Sequence, residues 1–417
     1  MNLLIKSALV KDESSAFHDK KVDILIENGI IIKIENTISA DESVEILELK
    51  DLHISKGWFD SSVCFGEPGY EECETIENGL ETAAKSGFTG VALQPNTRPY
   101  SDHASQIGFL KYKAQNFATQ IFPIGNLSIE AKGKDLSELY DMKQHGAIGF
   151  GDYKKAITNP NLLKLALQYT QSFQGVVISF PQDNKIAGNG QVNENENSTR
   201  LGLKSVPNLA EHLQVSRDLA ILEYTGGHLH IPTISTAESV ALIRDAKSKG
   251  LNVSCSVSVH HLSISDNALL DFNTNNKVLP PLRTIEDIEA LRAGVIDNTI
   301  DCITSDHCPV NIENKLVEFD NASYGTIGLE STFGALTNIL PIDIIVKKLT
   351  KGRELFGITS PEIAVGKSAE LSLFTPETTY VFQEEHIYST SKNSIFLEKE
   401  LKGKVYGSIV NGKLSIS

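Results

Sequence analysis

Lys56-Gly-Trp-Phe-Asp60-Ser-Ser-Val-Cys64-Phe-Gly-Glu67-Pro-Gly69 opens the segment from which the fold is read. A helix-length amphipathic stretch over 74–85 follows, then Gly87 and a second apolar run ending at Gln94. An apolar run, an amphipathic stretch, a glycine stop and another apolar run together make one βα unit. The same unit recurs outward from this point. Candidate strands fall near 58–63, 88–94, 120–125, 147–151, 175–180, 228–231, 252–257 and 300–304. Helices are predicted at 74–85, 134–144, 160–170, 207–223, 236–249 and 284–295, with Gly87 and Gly250 as C-terminal stops. Eight parallel strands is the number that closes a (β/α)8 TIM barrel, here expected over residues 56–364.

The two ends differ from this repeat and resemble each other. Residues 22–34 place two short apolar runs around Asn28-Gly29, the pair that supplies the positive φ angles of a type I′ hairpin. Asn411-Gly412 repeats the device after the alternating run Ala369-Glu-Leu-Ser-Leu-Phe374. Each β segment is too short to bury a core alone. Residues 1–55 and 365–417 are therefore expected to form one small composite β-sandwich.

The chain of 417 residues carries 53 Asp and Glu against 38 Lys and Arg, a formal charge of −15 that would repel nucleic acid and anionic membrane. The first apolar run is broken at Lys6, too early for a signal peptide, and no stretch approaches a membrane span, so a cytoplasmic protein is expected. The five cysteines are odd in number and lack CxxC spacing, which argues against a disulfide framework or a zinc knuckle.

In a barrel of this kind the chemistry sits just after each strand. Those positions hold Gln94-Pro-Asn96-Thr-Arg-Pro99, Phe150-Gly-Asp152, His228-Leu-His230-Ile-Pro-Thr233, Val259-His-His261-Leu, Lys277-Val-Leu-Pro-Pro-Leu-Arg283 and Thr304-Ser-Asp306-His307-Cys-Pro309, with Gly328-Leu-Glu330 further on. In this order and on this architecture they resemble the dihydroorotases of the amidohydrolase superfamily, of the type related to multifunctional pyrimidine-synthesis complexes. The resemblance runs nearly end to end.

It implies a divalent metal centre whose ligands this chain has lost. The family ends strand one in Asp-x-His-x-His-x-Arg-x-Pro-Gly. Residues two apart on a strand face the same way, so the two imidazoles meet one ion. Here Asp60, Glu67, Pro68 and Gly69 remain, but the histidine positions are Ser62 and Cys64, and the arginine that would clamp the substrate carboxylate is Gly66. The strand-five histidine position is Phe180 and the strand-six position is Thr233. Asp306 matches the family's general base and metal ligand. Asp152 stands in the segment of the bridging aspartate, with Tyr153 in the neighbouring place. Asn96 and His307 match substrate-contacting positions, and Leu279 replaces a substrate-contacting asparagine.

A bound ion lowers the pKa of water from about 15.7 to about 7, on the order of 12 kcal/mol of hydroxide generation that a lone carboxylate cannot replace. No cofactor is therefore expected. A rebuilt zinc site remains open, either from Cys64 with Asp152 and Asp306 or from the His228/His230 pair. Against these stand plainer readings: Cys64 as a buried apolar residue, His260 and His261 as structural, and Gly188–Thr199 as a solvated loop. Three functions follow. The first is a noncatalytic dihydroorotase-like homodimer supporting a partner such as aspartate carbamoyltransferase, a role that related inactive homologues serve. The second is an active dihydroorotase or related cyclic amide hydrolase with an altered metal site. The third is a ligand-binding sensor that uses the emptied pocket.

Overall fold

The computed structural model describes residues 1–39 and 43–417. Eight parallel strands run in chain order around one sheet: β1 Trp58–Val63, β2 Phe88–Leu93, β3 Gln120–Gly125, β4 Gly149–Phe150, β5 Val176–Ile178, β6 Leu229–Ile231, β7 Val253–Ser258 and β8 Cys302–Thr304. Each is followed by a helix: α1 Ile76–Lys85, α2 Ala104–Ala114, α3 Leu139–Gln144, α4 Pro160–Thr170, α5 Asn208–Thr225, α6 Ala237–Ser248, α7 Ile285–Ile296 and α8 Ile342–Thr350. The ring closes between the last strand and the first, where Val63 pairs with His307 and the Cys64 N–H donates to the His307 carbonyl at 2.7 Å. The expected (β/α)8 barrel is what the chain forms.

Asp60 fastens this seam. Its carboxylate accepts from the Ser62 N–H at 3.0 Å, the Ser305 N–H at 2.9 Å and the Thr304 hydroxyl, which ties β1 to β8. Inside the barrel, Phe59, Ala92, Ile124, Ile148, Val176 and Ile178 from successive strands pack with Phe356. The barrel centre is thus a filled core, and only its rim is free for polar side chains.

Both termini enter a second, mostly antiparallel sheet of eight strands. Asn2–Val10, Lys21–Glu27, Ile30–Glu35, Glu45–Leu47 and His53–Lys56 join Leu371–Val381, Glu400–Val410 and Lys413–Ile416. The two Asn-Gly turns have the positive φ angles the sequence predicts: 51° and 80° at Asn28 and Gly29, 53° and 69° at Asn411 and Gly412. They sit at opposite edges of the sheet, yet a Cβ on Gly29 would lie 3.1 Å from Gly412 Cα. The sheet therefore curls until its edges meet, enclosing Leu3, Ile24, Ile54, Leu371 and Ile409 in one core. Trp58 joins this unit to the barrel, stacking on Phe333 at 5.0 Å and donating its backbone N–H to Ser372 Oγ at 2.9 Å.

Gly188–Thr199 departs from the expected solvated loop. Val192-Asn193 pairs with Ser205-Val206, and the side chains of Asn193 and Asn197 donate to Asp266 at 3.0 and 3.3 Å. Arg283, buried, donates to Asn193 Oδ1 at 2.8 Å and to the Val206 carbonyl at 2.9 Å. Polarity here serves an internal hydrogen-bond network rather than hydration. No helix among the described residues is long and apolar enough to cross a membrane.

Candidate functional site

Ser62 and Cys64 leave the end of β1 and Asp306 follows β8, so the barrel seam brings them together. Ser62 Oγ donates to Asp306 Oδ1 at 3.2 Å. The other carboxylate oxygen takes Lys154, whose ammonium lies 2.8 Å from Oδ2. Lys154 reaches there from the loop after β4. Both partners are largely shielded, with side-chain exposures of 13% for Lys154 and 2% for Asp306. Burial raises the Asp306 carboxyl, and Lys154 and Ser62 offset only part of that rise. Burial opposes the Lys154 charge, but Asp306 and the nearby cysteines outweigh it and the net shift is upward, so the ammonium stays charged.

Cys308 completes the cluster. It sits beside Cys64 across the seam, with the Tyr153 hydroxyl directed at the two sulfurs and given no other partner. The Cys64 thiol holds the Cys308 thiol down at about 7 against burial. Tyr153 and Asp306 both adopt left-handed backbone, at φ 56° and 49°, and Thr233 does so at 47°. Non-glycine residues held in this region mark a rim whose geometry is imposed by its surroundings.

The remaining predicted residues are placed as follows. Asp152 turns away from Asp306: its carboxylate accepts from the Ser128 N–H at 3.2 Å, the Ser128 hydroxyl and Asn126 Nδ2. Phe180 is buried just beyond β5, and Thr233 is buried beyond β6, its N–H donating to Ser256 Oγ at 3.2 Å. Asn96 is half-buried, with its Oδ1 unpartnered. His307 is fully buried and accepts the Gly328 N–H at Nδ1, 3.2 Å away, which puts its proton on Nε2, where no acceptor meets it. His261 is structural: Nδ1 meets Ser258 Oγ at 2.6 Å and Nε2 meets the Pro280 carbonyl at 3.1 Å. Its neighbour His260 is equally buried, but neither ring nitrogen has a partner.

These residues do not fit a divalent metal. Among the described residues no three His, Cys, Asp or Glu side chains converge as a ligand set. The trio Cys64, Asp152 and Asp306 fails because Ser128 holds Asp152 and Lys154 holds Asp306. The His228/His230 pair fails because both rings are tied to Ser254 on β7, at 3.3 and 2.9 Å. His230 packs on Phe356 of the barrel core. A fixed cation already pairs with Asp306, and a second positive charge beside it would be repelled.

The position of the family's clamping arginine is closed to any side chain. A Cβ on Gly66 would lie 1.7 Å from the Tyr70 carbonyl oxygen, in a loop held by the Tyr70 N–H to Gly66 carbonyl bond at 2.9 Å. Sequence reasoning missed Lys154 and Cys308 as members of the cluster. The available signal was Asp152-Tyr-Lys-Lys155, which puts bulk and charge where the family has Asp-Asp-Gly.

The fold and the rim define an amidohydrolase-type barrel. An L-hydantoinase (dihydropyrimidinase) from Arthrobacter aurescens superposes with a TM-score of 0.87 at 21% identity, covering 99% of this chain and 95% of that one. The Dihydro-orotase-like family profile matches residues 53–239. Dihydroorotases from Syntrophus aciditrophicus and Caldicellulosiruptor saccharolyticus are 36% and 37% identical, each over 99% of this chain and 99% and 98% of their own length. The chain belongs to the dihydroorotase family.

Proposed function

We propose that this chain is a noncatalytic dihydroorotase-like protein of pyrimidine biosynthesis, cytoplasmic and homodimeric, that supports a partner enzyme, aspartate carbamoyltransferase. One observation carries the reading: the Lys154 ammonium is bonded to Asp306, the residue the family uses as base and metal ligand. A carboxylate engaged by a fixed ammonium and a serine hydroxyl has neither an ion to hold nor an activated water to deprotonate. The loop around Gly66 has closed over the place of the substrate clamp in the same way.

An outer surface suited to association supports the second half of the reading. Leu209, Leu213 and Tyr224 follow a helical spacing along α5 and are exposed, with Leu165 and Tyr169 exposed on the adjoining α4. Co-purification and sedimentation with the partner enzyme test this. Association should survive Asp306→Ala and weaken at least tenfold in Leu213→Lys/Tyr224→Glu; loss on Asp306→Ala would contradict it.

A second reading is an active dihydroorotase or related cyclic amide hydrolase with an altered site, acting on dihydroorotate or N-carbamoyl-aspartate. It is favoured by the retained Asn96 and His307, each with a buried polar atom lacking a partner.

A further inference from the structure

We propose that Cys64 and Cys308 form a reversible disulfide across the barrel seam when the protein meets a hydroperoxide. The argument starts from register. Val63 pairs in parallel with His307, so Cys64 and Cys308 are the next residues out, one just beyond β1 and the other in the segment that follows β8. The Cys64 N–H to His307 carbonyl bond of 2.7 Å continues the pairing to this level. Neighbouring strands lie about 4.8 Å apart, and disulfides span Cα separations of about 4.4 to 6.8 Å, so the backbone is already at bridging distance. Both cysteines are free, and the two thiols are close enough for each to influence the other's ionisation.

The surroundings suit the chemistry. The Lys154 ammonium and the Tyr153 hydroxyl face the two sulfurs, and that hydroxyl has no other partner. Cys308 is the more accessible, half-buried where Cys64 is only 3% exposed, so an oxidant reaches Cys308 first. The Cys308 sulfur, having released its proton, attacks one oxygen of the hydroperoxide. The O–O bond breaks, and the departing oxygen takes up that proton and leaves as water or an alcohol. The sulfenic acid left on Cys308 is attacked by the Cys64 sulfur; the S–O bond breaks, and the hydroxyl leaves as water with the Cys64 proton. The thiol pair loses two electrons and the peroxide gains two. The product ties β1 to β8 covalently at the seam that Asp60 already fastens.

The test uses the full-length protein with hydrogen peroxide, read by intact mass, thiol titration and peptide mapping. The expected result is loss of the mass of two hydrogens, a fall from five free thiols to three, and one Cys64–Cys308 crosslinked peptide that a dithiol reductant reverses. In Cys64→Ser the crosslink should vanish and added oxygen should accumulate on Cys308. A crosslink between Cys73 and Cys308, or five thiols that persist while Met1 is oxidised, would overturn the proposal. The readout is independent of whether the barrel hydrolyses any substrate.

Discussion

Lys154 and Asp306 form a shielded ion pair whose members have unequal alternatives. Removing one partner strands the other, whereas removing both charges together does not. Lys154→Ala is therefore expected to lower unfolding stability by about 3–5 kcal/mol, and Lys154→Ala/Asp306→Asn to recover more than half of that, measured by urea denaturation. Equal losses in the single and double variants would mean that Lys154 acts through packing alone. At this scale the sequence was only partly legible. The absence of imidazoles at Ser62, Cys64, Phe180 and Thr233 could be read directly, because it depends only on residue identity. That Lys154 would pair with Asp306 could not, since the contact joins residues 152 positions apart through a four-carbon side chain whose direction no local pattern encodes. Asp152 was misleading for the same reason: its composition suited a ligand, but Ser128 claimed it.

The loop from Cys64 to Glu74 is the element in which function and packing are hardest to separate. Gly66 sits under the Tyr70 carbonyl with no room for a Cβ, so even Gly66→Ala should cost about 1–3 kcal/mol, seen as a lowered thermal midpoint. Reintroducing arginine there, alongside histidines at 62 and 64, should unfold the loop before it restores a clamp. An unchanged midpoint in Gly66→Ala would show that the loop relaxes freely. Regular elements were far more legible than this loop. The barrel strands were visible mostly as apolar runs, because a parallel strand covered on both faces is largely apolar; β1 and β7 carry buried serines as well and were placed by the repeat. Helix α2 was not seen: His103 supplies no capping hydrogen bond, and Phe109 and Tyr112 lie exposed, which blurs its apolar face. The asparagine-rich stretch 188–199 read as a loop because its partners, Asp266 and Arg283, are supplied from far along the chain.

Across the whole molecule, buried neutral histidines set the response to acid. Burial holds His230, His261 and His307 at about 3, and His260 is lowered well below its usual value. A base whose folded pKa is depressed contributes stability that is present above its unfolded value, about 6.5, and is lost as pH falls toward the folded one. Asp60 works in the opposite sense: burial raises it to about 6, so its contribution is full below about 3.8 and is lost as pH rises through 6. Burial also raises Glu74, Asp152, Asp218, Asp306 and Glu330, which oppose the histidines within the carboxylate range, while His228 is lowered and adds to them. Stability should fall as pH drops from about 7 to about 6, where the histidine contribution leads that of the carboxylates, with net proton uptake on unfolding. A flat profile over that window would mean that these rings are already hydrated. Because Trp58, Ser372 and Phe374 join the barrel to the sheet built from both chain ends, acid should unfold the two together in one transition.

The central claim is that an internal cation has replaced the family's metal chemistry at Asp306. Its most direct test is turnover: the purified protein, supplied with zinc, assayed for interconversion of dihydroorotate and N-carbamoyl-aspartate. The predicted result is no rate above the uncatalysed background, and none gained on adding metal. Turnover at an ordinary enzymatic rate, about 1–1,000 per second, that disappears in Asp306→Ala would contradict the claim.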